Sequence, residues 1–315
     1  MQDQLHHFLQ QLVFGLGVGS IYALIALGYT MVYGVLRLIN FAHGDVYMVG
    51  AYISLLLARY IYAHHAGSPS GEVFAICLVA SMLGCGILGV VIERLAYRPL
   101  RKAPRLASLI TAIGVSLLIE NFCNLPGVFG SSPQTSPNLL PGNHVAYTVQ
   151  GIVIERNYLV LFVATLILLV TLWYVVTRTR LGRAMRAVSF DNDAASLMGV
   201  NTNAVITFTF FVGSALAGAA GCLFSGMVQN SIFPYFGIMP GVKAFVAAVL
   251  GGIGNIPGAA VGGFLMGLAE VLVVSYGPRF HIPPTYSDAM AFAILIVVLL
   301  VKPTGLFGKG VVEKV

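Results

Sequence analysis

Long apolar stretches separated by short polar breaks run the length of this chain. Runs of the length that crosses a bilayer as a helix lie at 10–34, 42–62, 72–93, 106–125, 158–177, 204–228, 258–276 and 287–302. They predict eight helices that are apolar on most sides, because a span in lipid must satisfy its backbone internally and offer hydrocarbon a greasy surface. One further run, Gly241 to Gly252, is interrupted only by Lys243. Its dozen or so residues rise roughly 18 Å, short of about 30 Å of hydrocarbon. Gly254-Asn255-Ile256-Pro257-Gly258 then reads as a turn. The pattern predicts a half-helix that enters from the outer side, stops at depth and returns as the 258–276 span. Such broken backbone persists only inside protein or against a wet cavity.

A second break falls between Gly34 and Asp45. There Asn40-Phe41-Ala42-His43-Gly44-Asp45 forms a polar kink inside otherwise continuous apolar sequence. The two regions share a loose plan. A helix carrying Gly19-Ser20, or Gly213-Ser214, is followed by a kink and a second apolar helix. The first helix begins outside and the second inside, as an inverted repeat requires, and transporters place substrate sites between such repeats.

Composition agrees: 58% of residues are apolar and 9% charged, against about 25% charged in an average soluble domain. The fold class expected is an all-α polytopic membrane protein, with about eight transmembrane helices, a re-entrant half-helix and one membrane domain over 1–315. The net charge of +6 does not indicate nucleic acid, because its carriers cluster beside apolar runs. Arg94, Arg98, Arg101, Lys102 and Arg105 form one group, Arg178, Arg180, Arg183 and Arg186 another, and Lys302, Lys309 and Lys314 a third. The positive-inside rule then places 94–105, 178–203 and the C-terminus in the cytoplasm, next to anionic lipid, and the N-terminus outside. The Pro-rich segment 126–157 becomes an irregular outer loop. Four scattered cysteines have no metal or disulfide spacing. His43, with no second ligand on its helix face, reads as a kink residue rather than a metal ligand.

Ionisable residues within spans are costly and mark candidate function. Asp45, Glu120, Lys243 and Glu270 qualify. Lys243 starts the half-helix and Glu270 lies on the returning span, so the two are expected to pair at the turn. Asp45 and the helix N-termini near Gly44 and Gly241 suit the ammonium and carboxylate of a small zwitterion, since N-termini favour anions. The candidate pathway is therefore Asn40, His43, Gly44, Asp45, Gly241, Lys243 and Glu270.

The loop after 178 combines arginines with Asp191, Asp193 and small residues up to Gly199. Asp191 or Asp193 is expected to cap a short helix starting near Ala194, with Ala195, Met198 and Val200 on its apolar side and Gly199 ending it. Such a helix suits docking into a groove on another protein.

With that loop, the stretches Ser20 to Gly34, Ile39 to Tyr47, Ile92 to Leu100 and Lys243 to Gly258 resemble the branched-chain amino acid permease family of ABC importers, in its LivH-type branch. The resemblance is collinear from about residue 5 to the C-terminus. Ser189-Phe190 departs from the small residue and acid more usual there. The resemblance implies a membrane-spanning subunit of an ATP-driven importer of branched-chain amino acids in the bacterial cytoplasmic membrane. It implies coupling to the ATPase through Arg183, Arg186, Asp191, Asp193, Ala195, Leu197 and Gly199. The implied partners are a second homologous permease (or a second copy), two cytoplasmic ATP-binding subunits and an external substrate-binding protein. ATP and Mg are then used by partner subunits, with no cofactor on this chain. The sequence itself has no G-x-x-x-x-G-K-[ST] phosphate loop. Related permeases move urea or short amides, so a permease for these or for other amino acids is an alternative. An ion-coupled carrier using Glu120 or Glu270 is another.

Overall fold

The structure is a computed structural model that describes residues 2–64, 69–101, 103–140, 145–149, 152–228 and 231–308. Lys102, Lys309 and Lys314, counted above among the basic clusters, lie outside the described residues. In chain order the helices are α1 (Gln2–Leu36), α2 (His43–His64), α3 (Gly71–Ile92), α4 (Arg105–Cys123), α5 (Arg156–Arg178), α6 (Arg180–Phe190), α7 (Asn192–Leu197), α8 (Thr202–Met227), α9 (Ile238–Gly251), α10 (Ile256–Tyr276) and α11 (Ser287–Val301). A π-helical turn, Glu93–Tyr97, continues α3. Eight of these segments are long and apolar enough to cross a membrane, and each matches an expected span within a few residues except α1, which starts earlier.

Local signals set the helix starts. Ser70, Asn201 and Asn255 accept the backbone N–H of Val73, Ala204 and Gly258, which satisfies donors that the first turn leaves open. Pro257 sits in the first turn of α10, where it costs no hydrogen bond.

The expected irregular loop at 126–157 contains short ladders. The strand β1 (Gln134–Thr135) pairs antiparallel with β4 (Ser231–Ile232), and β2 (Val145–Val149) with β3 (Ile152–Glu155). These strands mark one end of the bundle, the strand end. The basic end is opposite, where Arg37 beyond α1 donates to the Ser189 carbonyl.

Glycines let the central helices touch backbone to backbone. At the α1–α8 crossing, a Cβ on Gly28 would lie 2.8 Å from the Gly213 carbonyl oxygen, and one on Gly213 3.2 Å from that of Gly28. Around this crossing the pairings come in matched sets. The α1–α10 contact is mirrored by α8–α3, α2–α3 by α9–α10, α2–α8 by α9–α1, and α2–α4 by α9–α11. This is the pairing of an inverted repeat, α1–α4 against α8–α11, as the two kinked segments suggested.

The half-helix runs the other way in depth from the sequence expectation. Extended and turn residues 231–237, not the helix, carry the chain in from the strand end. α9 begins midway, beside Gly44, and reaches the basic end. There Leu306 and Phe307 donate N–H groups to the Leu250 and Gly251 carbonyls, and Gly254 approaches Gly34. Its length alone could not say which end of α9 lies at depth. The tail contacts decide it, because they satisfy carbonyls that a helix C-terminus leaves open.

Candidate functional site

Two helix N-termini meet in the middle of the bundle. The α2 helix leaves this point for the strand end, where Arg59 and Tyr62 reach residues 134–138. The α9 helix leaves it for the basic end. The meeting is possible because Gly44 and Gly237 have no side chains. A Cβ on Gly237 would stand 2.2 Å from the Gly44 carbonyl oxygen, and one on Gly44 2.7 Å from that of Gly237. Both N-termini carry partial positive charge from their helix dipoles.

A cavity of about 220 Å³ opens at this junction. Gly44 and Asp45 come from α2, and Ile238, Gly241, Val242 and Phe245 from α9. The third wall is α4, with Ile113, Ser116, Leu117 and Glu120. The volume falls below the roughly 300–1,000 Å³ of drug-sized sites and suits a small solute. Asp45 and Glu120 are both buried, and the Ser116 hydroxyl donates to Asp45 Oδ2 at 2.5 Å. No lysine or arginine lines the cavity among the described residues. On the basic side Phe245 meets Tyr29 and Phe41, with ring centroids 6.0 and 6.2 Å apart. On the strand side the Asn124 amide donates to the Tyr235 hydroxyl at 3.2 Å, bridging the end of α4 and the approach to α9. Tyr235 has φ 81°, a left-handed backbone unusual for a side chain of that size.

Of the expected pathway residues, Gly44, Asp45 and Gly241 are brought together here. Asn40 and His43 lie behind the wall. The Tyr97 hydroxyl donates to Asn40 Oδ1 at 3.0 Å, and the buried His43 ring packs against Gly28 and edge-on to Tyr29. Lys243 and Glu270 are elsewhere. They pair, but not at the 252–255 turn. Lys243 sits in the second turn of α9, with its Nζ 2.6 Å from Glu270 Oε1 and 2.6 Å from Asp288 Oδ1. Tyr22 donates to the other Glu270 oxygen at 2.5 Å. The cluster ties α9 to α1, α10 and α11 and leaves the cavity wall to other residues. Ser116 gave no signal in the sequence, because only folding sets it opposite an acid; Asp288 was missed although it is an acid at the start of the expected 287–302 span. Glu120 did give a signal, as an acid within a span.

At the basic end the loop after α5 folds as two helices rather than one. Thr179 caps α6 by accepting the Gly182 N–H. Gly182, Met185 and Val188 form its buried side, and the charges of Arg183 and Arg186 lie on the exposed side. Asp191 ends α6 and caps α7, accepting from Asp193 and Ala194 N–H at 2.9 Å each. Gly199, with φ 83°, closes the elbow. Ala195 is buried, so it does not belong to the outward face. The exposed apolar surface instead comes from Phe190, Leu197 and Met198, at 89%, 89% and 84% exposure.

Residues 11–299 match the family model described as branched-chain amino acid transport system / permease component. The chain belongs to this family. It is 45% identical over 315 residues to the high-affinity branched-chain amino acid transport system permease protein BraD of Pseudomonas aeruginosa, covering 99% of each chain. It is 43% identical over 318 residues to the corresponding LivH of Escherichia coli, covering 100% of each. LivM of Escherichia coli, another permease protein of that system, is 26% identical over 313 residues, 91% of this chain and 67% of LivM. No solved structure matches the chain. Like other members of the family, the chain is a multi-pass membrane protein and a transport subunit of ABC type rather than an enzyme.

Proposed function

We propose that this chain forms the path by which branched-chain amino acids are imported, within a complex whose ATP-binding subunits supply the work. One observation carries the reading: the cavity at the α2–α9 junction is amphipathic in the way an aliphatic zwitterion needs. Asp45 and Glu120 offer acceptors to an ammonium group, and the two helix N-termini favour a carboxylate. Ile113, Leu117, Val242 and Phe245 offer an apolar surface to the side chain. The α6–α7 elbow, with Arg183, Arg186, Asp193, Leu197 and Gly199, would receive the ATP-binding subunits, Phe190 and Met198 acting as knobs in a groove of the partner. ATP and Mg belong to those partners. An external binding protein would deliver substrate at the strand end, and a LivM-like permease or a second copy would complete the pair. The basic end would then be cytoplasmic and the α1 N-terminus outside, in the bacterial cytoplasmic membrane, by the distribution of arginines.

The test is reconstitution of the chain with these partners in vesicles. Leucine uptake that requires both ATP and the binding protein is expected. Uptake of urea in place of leucine would reassign the substrate. Uptake by the chain alone, driven by an ion gradient and indifferent to ATP, would overturn the importer reading.

A further inference from the structure

The basic end carries a second concavity, away from the cavity and just beyond the elbow. It has a volume of about 490 Å³ and opens between the end of α3 and the start of α8. Arg94 and Arg98 stand on its α3 side, and Asn201 and Asn203 on its α8 side. The two arginines are exposed, and neither forms an ion pair or side-chain hydrogen bond among the described residues. The neighbouring acid does not serve them. Both oxygens of buried Glu93 are engaged, one by Arg101 and the other by the Thr207 hydroxyl at 2.8 Å. Arg101 also donates to Asn203 at 2.6 Å, which fixes the gap between the helices. The floor is the N-terminus of α8, a 26-residue helix whose dipole adds positive potential. Two unneutralised guanidinium groups and a helix N-terminus thus face one opening.

The wall above this opening is apolar. Val90, Phe208 and Phe211 continue it along the bundle. Beside them the outer face of α3 exposes Leu83, Ile87 and Val91. A soluble anion has no use for such a wall, whereas a molecule with a phosphate at one end and acyl chains at the other uses both parts. The arginines also sit where a span ends, at headgroup level. We infer that this groove is a binding site for an anionic phospholipid, its headgroup phosphate held by Arg94 and Arg98 and its chains lying along Val90, Phe208 and Phe211. Because Asn201 and Asn203 lie directly after the elbow, the lipid would brace the joint between α7 and α8.

The experiment uses the full chain purified together with its partner subunits and a photoactivatable phosphatidylglycerol, with phosphatidylcholine carrying the same label for comparison. Selective labelling by phosphatidylglycerol, mapped by mass spectrometry to residues 90 and 208–211, is expected in the unmodified protein. Affinity should fall roughly 30-fold in Arg94→Gln/Arg98→Gln, as two lost charge contacts imply, and return in Arg94→Lys/Arg98→Lys. Equal labelling by the two lipids, or labelling only at other positions, overturns the inference without any variant having to fold. Complete displacement by inorganic phosphate or glycerol 3-phosphate overturns it in favour of a free-anion site. Loss of the ATP-binding subunits from the double Gln variant, with lipid retention unchanged, overturns it in favour of a protein contact.

Discussion

Lys243 Nζ lies 2.6 Å from Glu270 Oε1, inside the bundle and away from the cavity. With Asp288 at the same distance and Tyr22 on the far Glu270 oxygen, one cation balances two acids. The arrangement is asymmetric. Removing Lys243 leaves two carboxylates without a counter-ion, whereas neutralising Glu270 leaves Lys243 paired with Asp288.

Lys243→Ala is therefore expected to destabilise the chain by about 3–5 kcal/mol, the usual cost of breaking a buried pair from one side. Glu270→Gln should cost clearly less. Thermal melting of the two purified variants checks the order, and equal melting points would show that the cluster is not a strut.

Asp45→Asn and Glu120→Gln should weaken substrate binding without harming the fold. Each replaces a carboxyl acceptor on the cavity wall with an amide of the same shape. A lost charge-assisted hydrogen bond of about 1.5–3 kcal/mol corresponds to roughly 10- to 150-fold in affinity. The KM for ATP-dependent leucine uptake is the measurement. An unchanged KM in both variants would remove the ammonium from this cavity.

Gly237→Val should abolish assembly of the junction. Any Cβ there meets the Gly44 carbonyl oxygen at 2.2 Å, and rigid backbone cannot move aside as a flexible side chain would. Gly71→Ala is the matched control, since nothing lies within 4 Å of its added carbon. Yield of folded protein from membranes should collapse in the first and hold in the second.

Asp191→Ala removes the acceptor for two N–H groups and should cost α7 about 1 kcal/mol. Because the elbow lies at the surface, whole-chain melting should barely change. Substrate-stimulated ATP hydrolysis by the assembled complex should drop, and Asp191→Asn should restore it. Leu197→Asp tests the neighbouring surface. It should release the ATP-binding subunits with no loss of folded permease, because Leu197 touches little of its own chain.

Eight spans, and their limits except the start of α1, were legible along the chain, because hydrocarbon imposes a length and an apolar composition that no tertiary contact is needed to read. The sequence by itself also determined that the chain breaks at Gly34–Asp45 and near Gly254, since clustered glycine, proline and polar residues cannot continue a helix through hydrocarbon without cost. A cap at Asp191 or Asp193 was a local inference, and the structure selects Asp191; the pairing of Lys243 with Glu270 was read from charge, but at the turn, where the two do not meet. Tertiary structure alone decided depth and partnership. Whether α9 begins or ends at mid-bundle depends on which carbonyls the 305–308 tail satisfies. Whether Ala195 or Leu197 faces outward depends on the turn that α6 makes before it. Placing Ser116 against Asp45 and Asp288 against Lys243 required helices far apart in sequence to pack, and the close approach of glycine backbones that permits this leaves no periodic trace along the chain.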